Sequence, residues 1–509
     1  MKIILSILLT LIISSSIISQ NLTFSKGDIV KDRLFLMDKN EITTSDEKGN
    51  FISVRPKKDN DVIHDYFVEF FKELNFTKRI EIKTENKIKI LNVFIKNEKV
   101  HVFIREEFNK GFSLRFDIIN IYSKTLVQKI VFKTDKETSP EFYESLKDDY
   151  KISLEYSSLI ILTIPTKRDN KALVFIKIFS KNLVELNQYE IYSDKTLSHK
   201  FTRYLNTSQF KDKVYLLFNL TLNKDEKKYR LVELYKGKSK TIDIPIKNDI
   251  YELISSKIKN NQFIISGLYS KKRKGGFEGV TNYKIDLKSF SISYQKQNLF
   301  SNTKVSNYFK GFFKRNKSID IKNIFVDKNL NMYLVSRFYV IRKQQVPIPI
   351  ANLGGTIANV GFSVFLTFNP ISVKYKLYDD LLICKINSNG ELNWNKVIEF
   401  EKIEKTSSQS NKKDSSIFTF LFNNEINILI NGYINPKKET ILVKQDRRFS
   451  KTNFYNININ NDGVLKLETI FPNKNSKIIF KAGQTVKSNN LLFNLGQGNM
   501  RKQLLKIKL

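Results

Sequence analysis

Residues 379–400 read DDLLICKINSNGELNWNKVIEF: an apolar run, the polar quartet Asn387-Ser388-Asn389-Gly390, and a second run ending in Phe400. The asparagines and the glycine supply the positive-φ positions of a tight turn, so the stretch is a β-hairpin. Degenerate copies recur along most of the chain about every fifty to sixty residues, a period that marks a repeat architecture. A lone hairpin cannot bury its apolar face. A chain built from many such hairpins must therefore stack small sheets against one another.

Taken in order, the copies group into four-stranded units. The first spans residues 41–82 and ends in the variant hairpin VEFFKELNFTKRIEI; the second spans 88–132. A short helix is expected at 139–149, with Ser139 as N-cap, Pro140 at the first helical position and Glu141 in the first turn. Units three to five fall at 152–191, 204–246 and 253–299. Their third strands, ALVFIKIF, YRLVELY and TNYKIDL, stand where LLICKI stands in the opening stretch. Unit six contains that stretch, and unit seven covers 417–471. Three last β segments at 477–484, 490–495 and 503–509 leave an eighth unit one strand short. The isolated segment DIVKDRLFLM at 28–37 is the expected fourth strand. Pairing the two chain ends closes a ring of sheets and removes its open edges.

Residues 380–394 (DLLICKINSNGELNW) resemble the D-x-L-x-x-K-x-x-x-x-G-x-x-x-W hairpin of secreted bacterial β-propellers of the loosely related PQQ-like and WD-like kinds. That resemblance implies an all-β propeller of four-stranded blades, eight or, by a slip of strand boundaries, seven. It implies no fixed function. Quinone-binding members carry a tryptophan in most blades, whereas Trp394 is the only one here, so quinone chemistry is not transferred and no cofactor is expected. An outer-membrane barrel is the competing architecture. It needs alternating strands of about ten residues, and runs such as FIISGLY are apolar on successive positions instead.

Residues 1–20 have the layout of a secretory signal peptide: Lys2, an apolar core over 3–13, then Ser14 to Ser16. The expectation is an exported protein, periplasmic, cell-surface or extracellular, whose residues 21–509 form one propeller. No cysteine follows that core, which closes the lipoprotein route, and the single Cys384 excludes internal disulfides and Cys-based metal clusters. The formal charge of +35 suits an anionic partner, although Lys-, Asn- and Ile-rich composition also produces solvated surface lysines.

Three features fall in loops expected on one propeller face. Lys271, Lys272, Arg273 and Lys274, followed by two glycines, are candidate anion ligands. Residues 303–317 space Val305, Tyr308, Phe309, Phe312 and Phe313 along one face of a basic helix, a candidate contact for a partner or membrane. The insertion at 342–374 contains thirty consecutive uncharged residues, 344–373, in a chain that is 27% charged. With Phe362 and Phe365 it reads as a lid, a plug or a partner-binding arm. His64, His101 and His199 lie in different units with no metal-ligand spacing, His101 reading as core, and residues 460–463 (NNDG) as a plain turn. The sequence thus favours a non-catalytic binding or scaffold propeller for a protein or an anionic envelope or extracellular polymer, with nucleic acid disfavoured and a membrane surface as a further contact. The alternatives are a propeller-type glycan hydrolase or lyase with an axial site, and a surface protein assembled through the insertion.

Overall fold

In the computed structural model the chain forms eight antiparallel sheets; seven have four main strands side by side in chain order, and the eighth is completed by strands from the N-terminus. The structure describes residues 22–509 apart from 32–40, 47, 60–61, 124, 138–139, 149–151, 157–158, 169–170, 193–202, 224–225, 247–249, 272–275, 310–316, 350–367, 401–403, 408–416, 436–439, 443–451, 474–475 and 499–500. The signal-peptide expectation therefore lies outside the described residues. Blades one to seven begin at Ile42, Lys87, Ser153, Arg203, Tyr251, Lys317 and Ile417. The eighth is built from Thr485–Ser488, Leu491–Gly498 and Arg501–Lys508, closed by strands from the N-terminus.

Burial orders the strands of each blade from the axis outward. In blade five the middle strand Gln262–Ser270 is almost wholly buried, while the fourth, Ser291–Leu299, alternates exposed and half-buried positions. Strands packed on both faces read as continuous apolar runs, and half-exposed ones alternate. The first strands of successive blades adjoin one another around the axis. Eight apolar clusters hold the ring, one at each blade junction. Ile52, Val68 and Val102 join blades one and two, Phe263 and Tyr215 join four and five, and Phe51, Phe71 and Phe493 join one and eight. That closed cycle fixes the blade count at eight.

The turns between first and second strands explain their own sequences. Asn97-Glu98, Asn260-Asn261 and Asn423-Asn424 all have both residues at positive φ, between 46° and 63°. A two-residue hairpin turn of this hand demands that conformation, and asparagine tolerates it best among non-glycine residues. The first strands of blades two, four and six each carry one extra residue, just before Asn92, Asn206 and Asn323. Two of these asparagines reach the next blade: Asn206 donates to Ser256 Oγ at 3.0 Å and Asn323 to Thr419 Oγ1 at 2.6 Å.

The chain ends differ in detail from the expected closure. Thr23–Lys26 pairs with Lys508 to Leu505, and Val30–Lys31 with Lys502 and Arg501, so closure begins five residues before Asp28. All four residues of TFSK are exposed, and their polar look conceals a strand at an outer edge. Residues 477–484 were expected as the inner strand of the last blade. They instead supply the bridge Ile479↔Gln497 and the turn Ala482–Gln484, and the inner strand is Thr485–Ser488. Ile478, Phe480 and Ala482 are apolar because they fill the junction between blades seven and eight.

Candidate functional site

Only part of the expected loop-face site falls in the described residues. Lys271 is exposed, with its ammonium 3.9 Å from Glu278 Oε2, so that cation is partly neutralised. Lys272, Arg273, Lys274, Phe312, Phe313, Phe362 and Phe365 lie outside the described residues. The helix is described over Thr303–Phe309, where Val305 and Phe309 turn inward, and the rest of the expected segment lies largely outside the described residues. Phe309 is buried against Phe277, Phe300 and Phe338, with ring centroids 5.4–5.7 Å apart. Tyr308 is half-buried and donates to Asp380 Oδ2. Both are occupied in joining blades five and six and are not offered to a partner. The insertion continues the blade-six hairpin, whose ladder runs to Pro349↔Phe368.

Two carboxylates of the blade junctions are already in use. Glu252 accepts hydrogen bonds from Tyr229, Tyr283 and Thr281 at 2.7–2.8 Å, which saturates its carboxylate at the junction of blades four and five. Burial and this carboxylate hold the Tyr229 phenol well above its usual range. Asp117 accepts from Tyr66 at 2.7 Å and from Arg115 at 2.9 Å. Among the described residues no three His, Cys, Asp or Glu side chains are grouped to hold a metal ion.

His101 is core, as its strand context suggested. It is 4% exposed and stacks on Phe94 with centroids 4.8 Å apart. Burial, helped by Lys96 and Lys99, lowers its pKa to about 4. An imidazole held neutral in the fold but charged when unfolded contributes no pH dependence above about pH 6.5 and costs stability as pH falls from there toward its folded value. Between pH 7 and 5 the linked loss is about 2 kcal/mol. His101→Phe is expected to flatten that limb of a denaturant-midpoint against pH curve; an unchanged limb assigns the acid sensitivity to other groups.

A second site, missed in the sequence, lies at the axis. First strands of four consecutive blades line a cavity of about 230 Å³: Lys257 and Lys259 from blade five, residues 324–326 from blade six, residues 418–421 from blade seven and Lys487 from blade eight. It opens toward the tight-turn end of the axis, since Lys259 is the last residue of its strand and Asn260-Asn261 follow. Lys257 and Lys259 are two residues apart on one strand and so share a face, and both are exposed. The Lys487 ammonium donates to the Leu421 carbonyl at 3.1 Å and sits 5.4 Å from the Phe420 ring centroid. Desolvation there lowers its pKa. Phe418 and Phe420 flank Thr419, with ring centroids 6.0 Å apart. Cations and aromatic faces therefore converge from separate blades. No linear motif records that meeting; the only trace in the sequence is Lys at alternate positions of a first strand.

No family model and no curated protein matches the chain. Among solved structures it is similar to the WD40 domain of SCAP from fission yeast, at TM-score 0.38 and 8% identity over 97% of this chain and 96% of that one. It is also similar to the polysaccharide lyase Uly1, at TM-score 0.37 and 9% identity over 82% and 89% of the two chains. A PL25 ulvan lyase bound to a sulfated rhamnose-containing glycan gives TM-score 0.36 and 11% identity over 81% and 90%. The assignment of the fold rests on this chain's own sheets.

Proposed function

We propose that this protein is an exported recognition propeller for an acidic polysaccharide, which it holds across the tight-turn mouth of the axis. The observation that supports this reading is the basic, aromatic-walled cavity made by Lys257, Lys259, Lys487, Phe418 and Phe420. Its volume of about 230 Å³ is below the roughly 300–1,000 Å³ of sites that enclose drug-sized ligands, so it takes one unit of a longer molecule. Lysine ammonium groups answer sulfate or carboxylate, and the partly accessible Phe418 ring, backed by the buried Phe420, answers the C–H face of a sugar ring. Charge alone does not select the cavity in a chain of +35; the meeting of three cations with an aromatic wall from separate blades does.

The test is retention of residues 21–509 on a sulfated glycan, a polyuronate and a neutral dextran across a salt series. The triple substitution Lys257→Ser, Lys259→Ser, Lys487→Met is expected to weaken acidic-glycan binding at least tenfold and to flatten its salt dependence, with dextran ignored throughout. Unchanged affinity and slope in that variant would sink the reading.

One observation supports chemistry at the same cavity. Lys487, an exposed side chain, holds its ammonium at the cavity wall 3.1 Å from the Leu421 carbonyl; partial desolvation lowers its pKa, and a lysine shifted that way can take up a proton. A lyase reading makes it the base that removes the proton beside a uronate carboxylate, with the glycosidic oxygen leaving from the neighbouring carbon. It predicts unsaturated ends from a polyuronate that disappear in Lys487→Met; a polymer recovered at full length from the unaltered protein removes it.

A further inference from the structure

Blade four ends in a row of alternating rings and cations. Its first and second strands, Arg203–Phe210 and Lys213–Asn223, pair Phe210 with Lys213 across a tight turn. Its third and fourth, Glu226–Tyr235 and Lys238–Ile246, pair Tyr235 with Lys238 across another. Val214 lies opposite Leu234, which sets Lys213 beside Tyr235. Phe210, Lys213, Tyr235 and Lys238 therefore stand at one level on one face of the sheet, because directly opposite residues share a face. With neighbouring strands about 4.8 Å apart, the row spans roughly 14 Å from the innermost strand to the rim.

The rings position the cations. The Lys213 ammonium lies 5.6 Å from the Tyr235 ring centroid and that of Lys236 5.1 Å from the same ring, while Lys211 lies 5.6 Å from the centroid of Phe210. A lysine held over an aromatic face has lost part of its rotamer freedom before a ligand arrives, so less of that cost falls on binding. Two acids share this end of the blade. The buried Glu233 answers Lys213, with both oxygens 3.1 Å from the ammonium, and Asp212 sits in the first turn. Lys211, Lys236 and Lys238 are exposed. The second turn carries Gly237 at φ +78°, where an added Cβ would meet nothing within 4 Å, so the space above the turn is open.

The row begins beside the axial cavity. Asn206 bonds to Ser256 of the next blade, and both first strands run from there to their tight turns. Phe210, four residues beyond Asn206, thus comes to the same mouth as Lys257 and Lys259, which follow Ser256 and line the cavity. The exposed lysines of the cavity and of the row make one basic track from axis to rim.

We infer that the tight-turn end of blade four is a second subsite for the acidic polysaccharide, taking units beyond the one in the axial cavity and pairing their sulfate or carboxylate groups with Lys211, Lys236 and Lys238. The inference rests on the axial reading given above. It makes affinity depend on polymer length and leads the polymer outward over one blade.

The experiment is fluorescence anisotropy of residues 21–509 with end-labelled heparin oligosaccharides, a tetrasaccharide and a dodecasaccharide, which carry both sulfate and carboxylate. The parent is expected to bind the longer probe at least tenfold more tightly. Lys211→Ser with Lys236→Ser and Lys238→Ser should remove that advantage and leave the tetrasaccharide affinity unchanged. A charge-matched control, Lys83→Ser with Lys87→Ser and Lys89→Ser, alters exposed lysines where blade one ends and blade two begins, away from the tight turns. It should change neither affinity. An undiminished length advantage in the row variant overturns this inference alone, and so does an equal loss in the control, which assigns the advantage to overall charge. Full tetrasaccharide affinity in the axial variant at Lys257, Lys259 and Lys487 overturns the axial reading instead, and no binding of either probe by the parent overturns both. A melting curve matching the parent qualifies each variant, with Gln at the same positions as the second choice where Ser perturbs folding.

Discussion

Replacing Glu69 with Ala is expected to cost about 3–5 kcal/mol and to open the ring at one place, the junction of blades one and eight. Glu69 is fully buried and accepts from three cations: Arg55 at 3.3 Å, Arg79 at 2.7 Å and Lys502 of the last strand. Arg55 and Lys502 are themselves almost wholly buried. Removing the carboxylate leaves two desolvated cations facing each other, which is far more costly than losing a surface pair. The junction has little apolar packing in reserve. Its buried cluster is Phe51, Phe71, Phe493, Leu495 and Leu504, whereas the junction of blades five and six buries fifteen residues. Polar contacts across it, such as Ser488 Oγ to the Asp46 carbonyl at 2.7 Å and the Asp28 N–H to Asn75 Oδ1 at 3.1 Å, supplement that cluster. Chemical denaturation checks the magnitude. Hydrogen exchange checks the place: faster exchange confined to Thr23–Lys26 and Arg501–Lys508 is the expected pattern, and uniform loosening of all blades would contradict it.

The second large effect is expected at Trp394. Its indole Nε1 donates to the Asn461 carbonyl at 2.8 Å, and its ring lies against Gly463, where an added Cβ would stand 3.2 Å from it. Gly463 has φ +79°, so the turn demands glycine twice, once for the backbone and once for the ring. Lys385 and Lys396 fasten the same turn through the Asn461 and Gly463 carbonyls at 2.9 and 3.0 Å. Trp394→Ala removes a large, half-buried ring and one of the two donors to the Asn461 carbonyl, at about 3 kcal/mol. Trp394→Phe, which keeps most of the packing, should recover more than half of it. Equal losses in the two variants would show that the hydrogen bond, and not the ring, carries the latch.

Trp394 also shows what was legible in the sequence. As the only tryptophan it looked like the remnant of a repeated docking residue. The structure shows that the role persists with other side chains. Tyr294, on the fourth strand of blade five, lies against Gly390 of the next blade, where an added Cβ would stand 2.6 Å from its ring. Burial pushes its phenol up to about 12. Tyr189 of blade three accepts from the Gly237 N–H of blade four at 2.9 Å. The latch needs a flat ring on a fourth strand and a glycine in the following blade's turn, and tyrosine meets that need as tryptophan does. Strand periodicity therefore gave the blades, their number to within one, and closure through the chain ends, because burial on one or two faces writes itself locally. The pairing of TFSK at the edge and the packing role of residues 477–484 did not, because an exposed strand looks like loop and a buried loop looks like strand.

The candidate sites divide in the same way. Phe309 and Tyr308 had the spacing of an exposed aromatic face, but periodicity states only that one face is apolar, not what covers it. Phe277, Phe300 and Phe338 cover Phe309. The axial cavity had no local signature because its cations come from strands some 230 positions apart in the chain, Lys257 and Lys487. The insertion in blade six was visible as a charge gap, yet the register that sets Pro347 against Pro370 was not.

The carboxylate of Glu69 meets Lys502 across 433 positions of sequence. During synthesis the first blade must wait for nearly the whole polypeptide before its buried anion is fully matched and its open edge is covered. Local hairpins assemble early, but a contact of such separation forms late. A nascent or truncated chain lacking Arg501–Lys508 thus keeps an unmatched cation site and an unpaired sheet edge, features that proteases and holding chaperones act on. Ring closure thus waits on Arg501–Lys508: only when that strand is in place are the sheet edge and the Glu69 carboxylate both covered.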